Sequence, residues 1–325
     1  MLPSTEYHSP RIVFAGTPEF AAVHLEGLLS SGYLPCAVYT QPDRPAGRGR
    51  RLQASPVKQL AQGHNLPVFQ PHTLNTPETV RQIAGFHPDI MIVVAYGVIL
   101  KQAVLDIPRL GCINVHASLL PRWRGAAPIQ RAIAAGDRET GVTIIKMTEA
   151  LDAGDILASS SWPITEFSTS ATLHDELARL GSSLLPPTID KLVRGTITAH
   201  PQPKQGVTYA HKLNKQEAHI DWSLPAVHLH RLVRAFNPWP VATTILRGKP
   251  FRILEAIPLK TADAVNGLHT TDTPGTLVAI TNDGLDIATG DGFLRLQQVQ
   301  LAGRKPLFAR ELVNGLSLKI GEQLG

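Results

Sequence analysis

Residues 90–97 read Ile90-Met-Ile-Val-Val-Ala-Tyr-Gly97, an unbroken apolar run that ends in a glycine turn. A run without alternating polar residues is typical of a strand that is covered on both faces, as in a parallel sheet. Residues 77–86, which come before it, have the apolar spacing of a helix. A helix that leads into a buried strand is the repeating unit of α/β proteins, so this stretch predicts a Rossmann-like parallel sheet.

The same alternation extends over the first two-thirds of the chain. Residues 12–15 form a short apolar run closed by Gly16-Thr17-Pro18, and helical spacing follows over 19–29. Further strands are predicted at 36–40, 113–115 and 142–147, and further helices at 127–135, 173–185 and 188–193. Ligands of such sheets bind beyond the carboxyl ends of the strands. We therefore expect functional residues near Gly16, Tyr96-Gly97 and Asn114 to His116.

The pattern changes after a stretch rich in Pro, Gly, Thr and Gln that begins at Gly195. Past a predicted helix at 226–235, short alternating runs are predicted as strands at 243–246, 251–257, 275–280, 285–289 and 293–299. Short strands separated by glycine turns predict a small OB-like β-barrel. We expect an α/β domain over 1–194, a linker over 195–208 and a β-barrel domain over 209–325.

Composition excludes several classes of protein. The chain has 325 residues, of which 43% are hydrophobic and 18% charged, and this is typical of globular domains. Its two cysteines cannot form a disulfide framework, so a reducing cytoplasm is expected. The longest apolar stretch is about half of the roughly 20 residues that span a membrane. The net charge of +5 is weak evidence for nucleic-acid binding by itself.

The candidate chemistry lies in Gly111-Cys-Ile-Asn-Val-His-Ala-Ser-Leu-Leu-Pro-Arg-Trp-Arg-Gly125. Side chains alternate along a strand, so Asn114 and His116 should project from the same face. Asn114 offers amide donors and His116 can carry a proton near neutral pH. Downstream, Asp152 and Asp155 lie in a glycine-containing loop that follows another predicted strand.

Acyl transfer needs a group that stabilises an oxyanion, a group that moves protons, and one that orients the histidine. Asn114, His116 and Asp152 could supply these three functions. No serine or cysteine lies in a nucleophile motif such as Gly-x-Ser-x-Gly, so direct transfer to an incoming amine is the simpler hypothesis. On spacing alone, Asn114 and His116 could equally form a turn, and Asp152 and Asp155 could cap the next helix.

Asn114-Val-His116-Ala-Ser118-Leu119-Leu120-Pro121, together with Asp152-Ala-Gly154-Asp155, resembles the signature of the folate-dependent formyltransferases. Other stretches resemble the members of that family that formylate methionyl initiator tRNA for translation initiation. These stretches are Phe14-Ala-Gly-Thr-Pro-Glu-Phe20, Gln41-Pro-Asp-Arg-Pro-Ala-Gly-Arg-Gly-Arg50, Tyr209-Ala-His-Lys-Leu-Asn-Lys215, Ile220-Asp-Trp222 and Gly303-Arg-Lys-Pro306. The resemblance covers nearly the whole chain.

The resemblance implies a catalytic role for Asn114, His116 and Asp152, and direct transfer through a tetrahedral intermediate. It implies 10-formyltetrahydrofolate as a consumed co-substrate and no metal. The implied folate-binding residues are Tyr96, Gly97, Val98, Leu100, Ser118, Leu119, Leu120 and Pro121.

The basic loop between residues 41 and 58 carries five cations and one acid, and arginines suit contacts with phosphate. A solvated charged loop would also explain it. The resemblance implies that the loop contacts the acceptor stem of initiator tRNA and that the barrel contacts the tRNA backbone. The implied tRNA-binding residues are Arg44, Arg48, Arg50, Arg51, Arg304 and Lys305.

Three rival functions remain open. A formyltransferase for a small amine would share Asn114, His116 and Asp152 but would not need the arginine loop. A non-catalytic tRNA-binding protein would not need these three residues, and a dehydrogenase is disfavoured because Gly16-Thr-Pro-Glu-Phe20 is not Gly-x-Gly-x-x-Gly. His228 and His230 are two apart on a predicted helix and make a poor metal pair. We expect a cytoplasmic monomer that does not bind membranes.

Overall fold

The structure is a computed structural model that describes residues 9–46, 49, 51–259 and 273–325. The strands up to residue 210 are β1 (Ile12–Gly16), β2 (Ala37–Tyr39), β3 (Arg44–Ala46), β4 (Arg51–Gln53), β5 (Val68–Phe69), β6 (Ile90–Val94), β7 (Cys112–His116), β8 (Arg124–Gly125), β9 (Glu139–Lys146), β10 (Ile156–Pro163) and β11 (Tyr209–Ala210). The helices are α1 (Glu19–Ser30), α2 (Pro56–Gly63), α3 (Pro77–Gly85), α4 (Gln102–Leu105), α5 (Pro128–Ala135) and α6 (Ser170–Val193).

The N-terminal sheet has the strand order β10-β9-β7-β6-β1-β2-β5. Strands β7, β6, β1, β2 and β5 are parallel to one another, which confirms the predicted parallel sheet over this part. Strand β9 differs, because it runs antiparallel to β7 with His116 opposite Thr143. The sheet is therefore mixed. An apolar run indicates that a strand is buried but does not encode its direction.

The buried strands and the capped helices explain why these segments fold as predicted. All five residues of β1 and all five of β6 are buried, as expected for strands covered on both faces. Helix α3 begins where Thr76 accepts a hydrogen bond from the backbone of Thr79 and Pro77 occupies the first turn. These are the capping residues that helix starts favour.

Helix α6 corrects one prediction, because it is a single helix where two were expected, at 173–185 and 188–193. Pro186 and Pro187 lie inside it. Proline removes a backbone donor, which usually interrupts a helix. Leu177 and Leu185, before the two prolines, and Ile189, after them, are all buried, and this packing keeps the helix continuous.

The described C-terminal part is an antiparallel β structure with two α-helices and a short 3-10 helix at Gln216–Ala218. Its elements are α7 (Ala226–Ala235), β12 (Ala242–Leu246), β13 (Lys249–Leu259), β14 (Leu277–Thr281), β15 (Gly284–Ala288), β16 (Phe293–Leu301), β17 (Leu307–Phe308) and α8 (Glu311–Leu316). The sheet order is β12-β13-β16-β15-β14, with β17 on β16. Isolated bridges from Gln323 to Thr276 and from Leu324 to Leu246 join its two edges. The predicted β domain is confirmed.

A buried ion pair lies inside this β structure. Asp286 on β15 is fully buried, and both of its carboxylate oxygens accept hydrogen bonds from Arg295 on β16, at 2.7 and 2.8 Å. The two residues are directly opposite in the register. A paired geometry of this kind is what allows a carboxylate to be buried.

The described chain divides into two compact units. The first contains Met1–Pro128, Thr140–Pro163 and His174–Ala210, and the second contains Ile129–Glu139, Ile164–Leu173 and His211–Gly325. Residues 195–208, which the sequence predicts as a linker, belong to the first unit. The boundaries drawn from the sequence stay a prediction. Within the described residues, no helix is both long enough and apolar enough to cross a membrane.

His24 on α1 is fully buried, and its Nδ1 donates a hydrogen bond to the carbonyl oxygen of Phe20 at 2.7 Å. Among the described residues its Nε2 has no hydrogen-bond partner, and it lies against Gly181, where a Cβ would be 2.4 Å away. Burial lowers the pKa of His24 to about 4, so the folded protein holds this side chain neutral.

We predict that His24 makes the protein lose stability as the pH falls from about 6.5 towards 4. The unfolded chain takes up a proton below its pKa of 6.5, whereas the folded chain does not, so about 2 kcal/mol is lost by pH 5. Urea denaturation at pH 7.5 and pH 5 checks this in wild type and His24→Leu. The variant should lose about 2 kcal/mol less than wild type between the two pH values, and an equal loss in both would contradict the assignment.

Candidate active site

Strand β7 places Asn114 and His116 on one face of the sheet. Asn114 pairs with Val93 on the parallel side and with Ile145 on the antiparallel side, so it is central in the sheet. Asn114 is partly buried and His116 is 6% exposed. Because side chains alternate along a strand, the two residues project in the same direction, as the sequence predicts.

Asp152 brings the predicted residues together. Its Oδ1 accepts a hydrogen bond from Asn114 Nδ2 at 3.2 Å, and its Oδ2 lies 3.6 Å from His116 Nδ1. The same Oδ2 accepts a hydrogen bond from the backbone N–H of Gly125 at 2.8 Å. The side chain is only 11% exposed, so the carboxylate acts on these neighbours with little screening by water.

The hydrogen bond of His116 determines which ring nitrogen is protonated. Nε2 lies 2.8 Å from the carbonyl oxygen of Trp123, and because a carbonyl can only accept, Nε2 carries a hydrogen. In the neutral ring, Nδ1 is therefore the basic nitrogen. It is also the nitrogen that faces Asp152, so a proton added to the ring is stabilised by the carboxylate.

The loop of Asp152 has a constrained backbone. Asp152 has a φ of +47°, in the left-handed region that few residues other than glycine adopt. Two residues later, Gly154 packs so closely that a Cβ would lie 1.7 Å from the carbonyl oxygen of Lys146, at the end of β9. Strained backbone of this kind persists only where the surrounding structure holds it.

The turn after β7 is held by β9. Thr143 Oγ1 donates to the carbonyl oxygen of Ser118 at 2.7 Å and accepts from the backbone N–H of Leu120 at 3.1 Å. Ser118 is fully buried, and its hydroxyl donates to the carbonyl oxygen of Arg122 at 2.7 Å. Leu120 is buried, and Leu119 and Pro121 are partly buried. Ser118 therefore orders the turn that carries the other three side chains.

The predicted segment from Tyr96 to Leu100 follows β6, the parallel neighbour of β7, and so leaves the same edge of the sheet as His116. Tyr96 and Leu100 are buried, Val98 is partly buried, and Gly97 is exposed with a φ of +85°. The hydroxyl of Tyr96 is buried beside the side chain of Gln41. Burial raises the pKa of Tyr96 to about 12, so this hydroxyl remains a donor at neutral pH.

The basic loop forms a hairpin of β3 and β4, in which Arg44 pairs with Gln53. Arg44 and Arg51 are exposed, whereas Arg48 and Arg50 lie outside the described residues. Asp43 anchors its base through Lys58 Nζ at 2.7 Å and Gln70 Nε2 at 2.7 Å. These hydrogen bonds hold the pKa of Asp43 below its usual value. Lys58 is thus engaged in holding the hairpin.

Arg304 and Lys305 belong to the second unit, in the turn that follows β16, and both are exposed. The backbone N–H of Arg304 donates to the carbonyl oxygen of Leu301 at 3.0 Å, and Gln300 Nε2 donates to the carbonyl oxygen of Arg304 at 2.8 Å. Both contacts use the backbone, which fixes the turn from which these cations project.

Sequence reasoning missed several partners of the site. The carbonyl of Trp123 and the N–H of Gly125 are backbone groups, which a residue pattern cannot identify. Gln202 in the predicted linker, which donates hydrogen bonds to the backbone carbonyls of Asp152 and Gly154, was also missed. No signal in the sequence distinguishes it from its neighbours. Among the described residues, no group of three or more His, Cys, Asp and Glu side chains is placed to hold a metal ion.

The arrangement suits the chemistry of a reacting carbonyl. Amide and imidazole groups that share a face can stabilise a developing oxyanion, and a carboxylate beside the imidazole can hold a proton. Their partial burial strengthens both effects.

Two models of known protein families match most of the chain. The family model described as "Formyl transferase" matches residues 10–189. The model described as "Formyl transferase, C-terminal domain" matches residues 212–317.

Individual proteins are similar over the same length. A methionyl-tRNA formyltransferase of Pseudomonas fluorescens (strain SBW25) is 53% identical over 317 residues, which are 97% of this chain and 97% of that protein. The fold is similar to that of the sugar 3N-formyl transferase WlaRD, with a TM-score of 0.64, 16% identity, and coverage of 92% of this chain and 100% of that one. HypX from Aquifex aeolicus, solved with tetrahydrofolic acid, has a TM-score of 0.61 at 18% identity; this chain is covered to 97% but spans 49% of HypX.

We predict that Gly154→Ala destabilises the protein, because the added Cβ cannot occupy the same space as the carbonyl oxygen of Lys146. Overpacking of this kind costs about 1–3 kcal/mol, and each kcal/mol lowers the thermal midpoint by about 2–4 °C. Gly85→Ala is the matched control, since a Cβ there meets no described atom within 4 Å. Differential scanning calorimetry checks both variants, and equal midpoints would show that the Asp152 loop is not closely packed.

Proposed function

The chain belongs to the formyl transferase family, and on that basis we propose that it transfers the formyl group of 10-formyltetrahydrofolate to methionyl initiator tRNA. The acceptor is the free amino group of the esterified methionine, and the product serves translation initiation. The contacts of Asp152 with both Asn114 and His116 carry the catalytic part of the proposal. The 53% identity over nearly the whole chain supports the choice of acceptor.

The residues at the edge of the sheet fit a folate donor. The segment from Tyr96 to Leu100 follows β6 and the turn from Ser118 to Pro121 follows β7, so both leave the same edge of the sheet and both contain apolar side chains. The buried hydroxyl of Tyr96 fits a polar group on an otherwise flat ring system such as a pteridine. These residues would position the formyl group, which the donor supplies.

The reaction begins when the neutral amine of methionine attacks the formyl carbon. A new carbon–nitrogen bond forms and the formyl oxygen becomes an oxyanion. Asn114 Nδ2 carries a second hydrogen besides the one that it gives to Asp152, and this donor stabilises the oxyanion, as does His116 once its Nδ1 has taken up a proton. The bond from the formyl carbon to N10 then breaks and leaves tetrahydrofolate and the formylated methionyl-tRNA.

Proton transfer is the second requirement, because the amine must lose a proton and N10 must gain one. His116 Nδ1 is the basic nitrogen of the neutral ring, and Asp152 stabilises the ring when it is protonated. Asp152 therefore orients His116 and assists deprotonation of the amine. No cysteine, serine or metal is needed, since the amine attacks directly.

The exposed arginines explain how an amine that is carried on a tRNA is selected as the acceptor. Arg44 and Arg51 project from the β3–β4 hairpin, whose base Asp43 and Lys58 hold in place. Arg48 and Arg50 complete the proposed group, although they lie outside the described residues. A hairpin with several arginines can bind successive phosphates of an acceptor stem. Arg304 and Lys305 in the second unit are exposed and would contact the tRNA backbone.

The proposal also covers the oligomeric state and the cellular location of the protein. Cys36 and Cys112 are both free thiols, which is typical of proteins in reducing compartments. We propose that the protein acts as a monomer in the cytoplasm and does not bind membranes.

Asp152→Asn should lower kcat by about 10³-fold or more, since the amide cannot accept hydrogen bonds on both sides and cannot stabilise protonated His116. The Kd for charged initiator tRNA should change less than about threefold. Asp155→Asn is the matched control, because Asp155 lies in the same loop but is exposed. Initial rates and filter binding check both variants. Wild-type turnover in Asp152→Asn would remove Asp152 from the mechanism.

Arg44→Ala should reduce formylation of initiator tRNA by about 10-fold or more, while slow hydrolysis of the folate donor stays near its wild-type rate. The reason is that Arg44 contacts the acceptor and not the donor. Arg81→Ala, an exposed arginine on α3, is the control and should affect neither rate. Equal loss of both activities in Arg44→Ala would show that the hairpin supports the fold.

A further inference from the structure

The side-chain amide of Gln202 is hydrogen-bonded to two segments of the active site. Its Nε2 donates to the carbonyl oxygens of Asp152 and Gly154, both at 2.8 Å. Its Oε1 accepts from Nε of Arg124 at 3.1 Å and from Nη2 of Arg124 at 2.7 Å. An amide group has two donor hydrogens and two acceptor positions, so these four hydrogen bonds satisfy it completely.

The orientation of this amide follows from its partners. Carbonyl oxygens can only accept and a guanidinium can only donate, so a flipped Gln202 would lose all four hydrogen bonds. A glutamine with a single acceptable orientation, bonded in both directions, is a rigid link. Gln202 thus connects the backbone of the Asp152 loop to the side chain of Arg124.

The link closes a ring of hydrogen bonds around the carboxylate. Arg124 adjoins Gly125, whose N–H donates to Asp152 Oδ2 at 2.8 Å. The path therefore runs from the Asp152 carbonyl through Gln202 to Arg124, along one peptide to Gly125, and back to the Asp152 carboxylate. The backbone of Asp152 is therefore linked to Arg124 through Gln202, and its side chain is bonded directly to the next residue, Gly125.

The chain beyond Gln202 strengthens this arrangement. Thr208 Oγ1 accepts from the backbone N–H of Trp123 at 2.9 Å, and the carbonyl of Thr208 accepts from the backbone N–H of Arg124 at 2.9 Å. Strand β11 then continues in parallel with β8. Trp123 is the residue whose carbonyl fixes His116, so the segment from 202 to 210 supports both members of the His116–Asp152 pair.

We propose that Gln202 is a positioning residue for formyl transfer, which holds Asp152 at its left-handed backbone conformation and so aims the carboxylate at Asn114 and His116. The role rests on the proposed function, because it acts through the catalytic role of Asp152. The residue has no need to contact donor or acceptor. Its loss should reduce the rate of the chemical step and leave substrate binding intact.

Two substitutions separate this role from general support of the fold. Gln202→Leu removes all four hydrogen bonds at similar volume. Gln202→Glu keeps the shape and the acceptor for Arg124 but replaces the two donors with an oxygen that faces two carbonyls. Gln205→Ala is the control, since Gln205 lies three residues further along the same segment and is exposed. Circular dichroism and thermal midpoints verify that the variants are folded.

Steady-state formylation of charged initiator tRNA tests the proposal. Both Gln202 variants should lose about 10- to 100-fold in kcat, since small misplacements of catalytic groups cost factors of this size. KM for tRNA and for the folate donor should stay within about threefold, and Gln205→Ala should behave as wild type. Wild-type kcat in both Gln202 variants, or KM values that rise while kcat is kept, would overturn the role.

A double-mutant cycle with Asp152→Asn adds a decisive comparison. If Gln202 acts only through Asp152, Gln202→Leu should lower the residual rate of Asp152→Asn by less than about threefold. The same 10- to 100-fold loss in both backgrounds would show that Gln202 acts independently of Asp152 and would contradict the proposal. A wild-type protein that fails to formylate initiator tRNA would instead overturn the proposed function.

Discussion

The carboxylate of Asp152 is the interaction on which the active site depends. It accepts hydrogen bonds from Asn114 and from the backbone of Gly125, and it faces Nδ1 of His116. A partly buried carboxylate that accepts hydrogen bonds from fixed donors keeps its position. Asn114 and His116 come from one strand, and Asp152 contacts both of them as well as Gly125 in the turn that follows.

The mixed sheet explains how Asp152 reaches these partners. Strand β9 runs antiparallel to β7, so its last residue, Lys146, lies opposite Ile113 near the start of β7. The chain then packs back against the end of β9 through Gly154 and brings Asp152 beside the middle of β7. The same strand holds the turn after His116 through Thr143. One antiparallel neighbour therefore positions both the carboxylate and the turn.

Much of this could be predicted from sequence because the relevant signals are local. Period-two alternation placed Asn114 and His116 on one face, apolar runs located β1 and β6, and apolar spacing located α3. The direction of β9, the left-handed backbone of Asp152 and the contacts of Gln202 were not predictable. They depend on contacts between residues far apart in sequence, and two of the partners of the site are backbone groups that every residue possesses.

We propose above all that the active site transfers a formyl group to an amine carried on initiator tRNA. The most direct measurement compares initial rates with 10-formyltetrahydrofolate and three kinds of acceptor, namely charged initiator tRNA, charged elongator tRNA and free small amines. We expect rapid formylation of the charged initiator tRNA, and rates that are lower by orders of magnitude for charged elongator tRNA and free small amines. A free amine that reacts as fast as the charged initiator tRNA would contradict it.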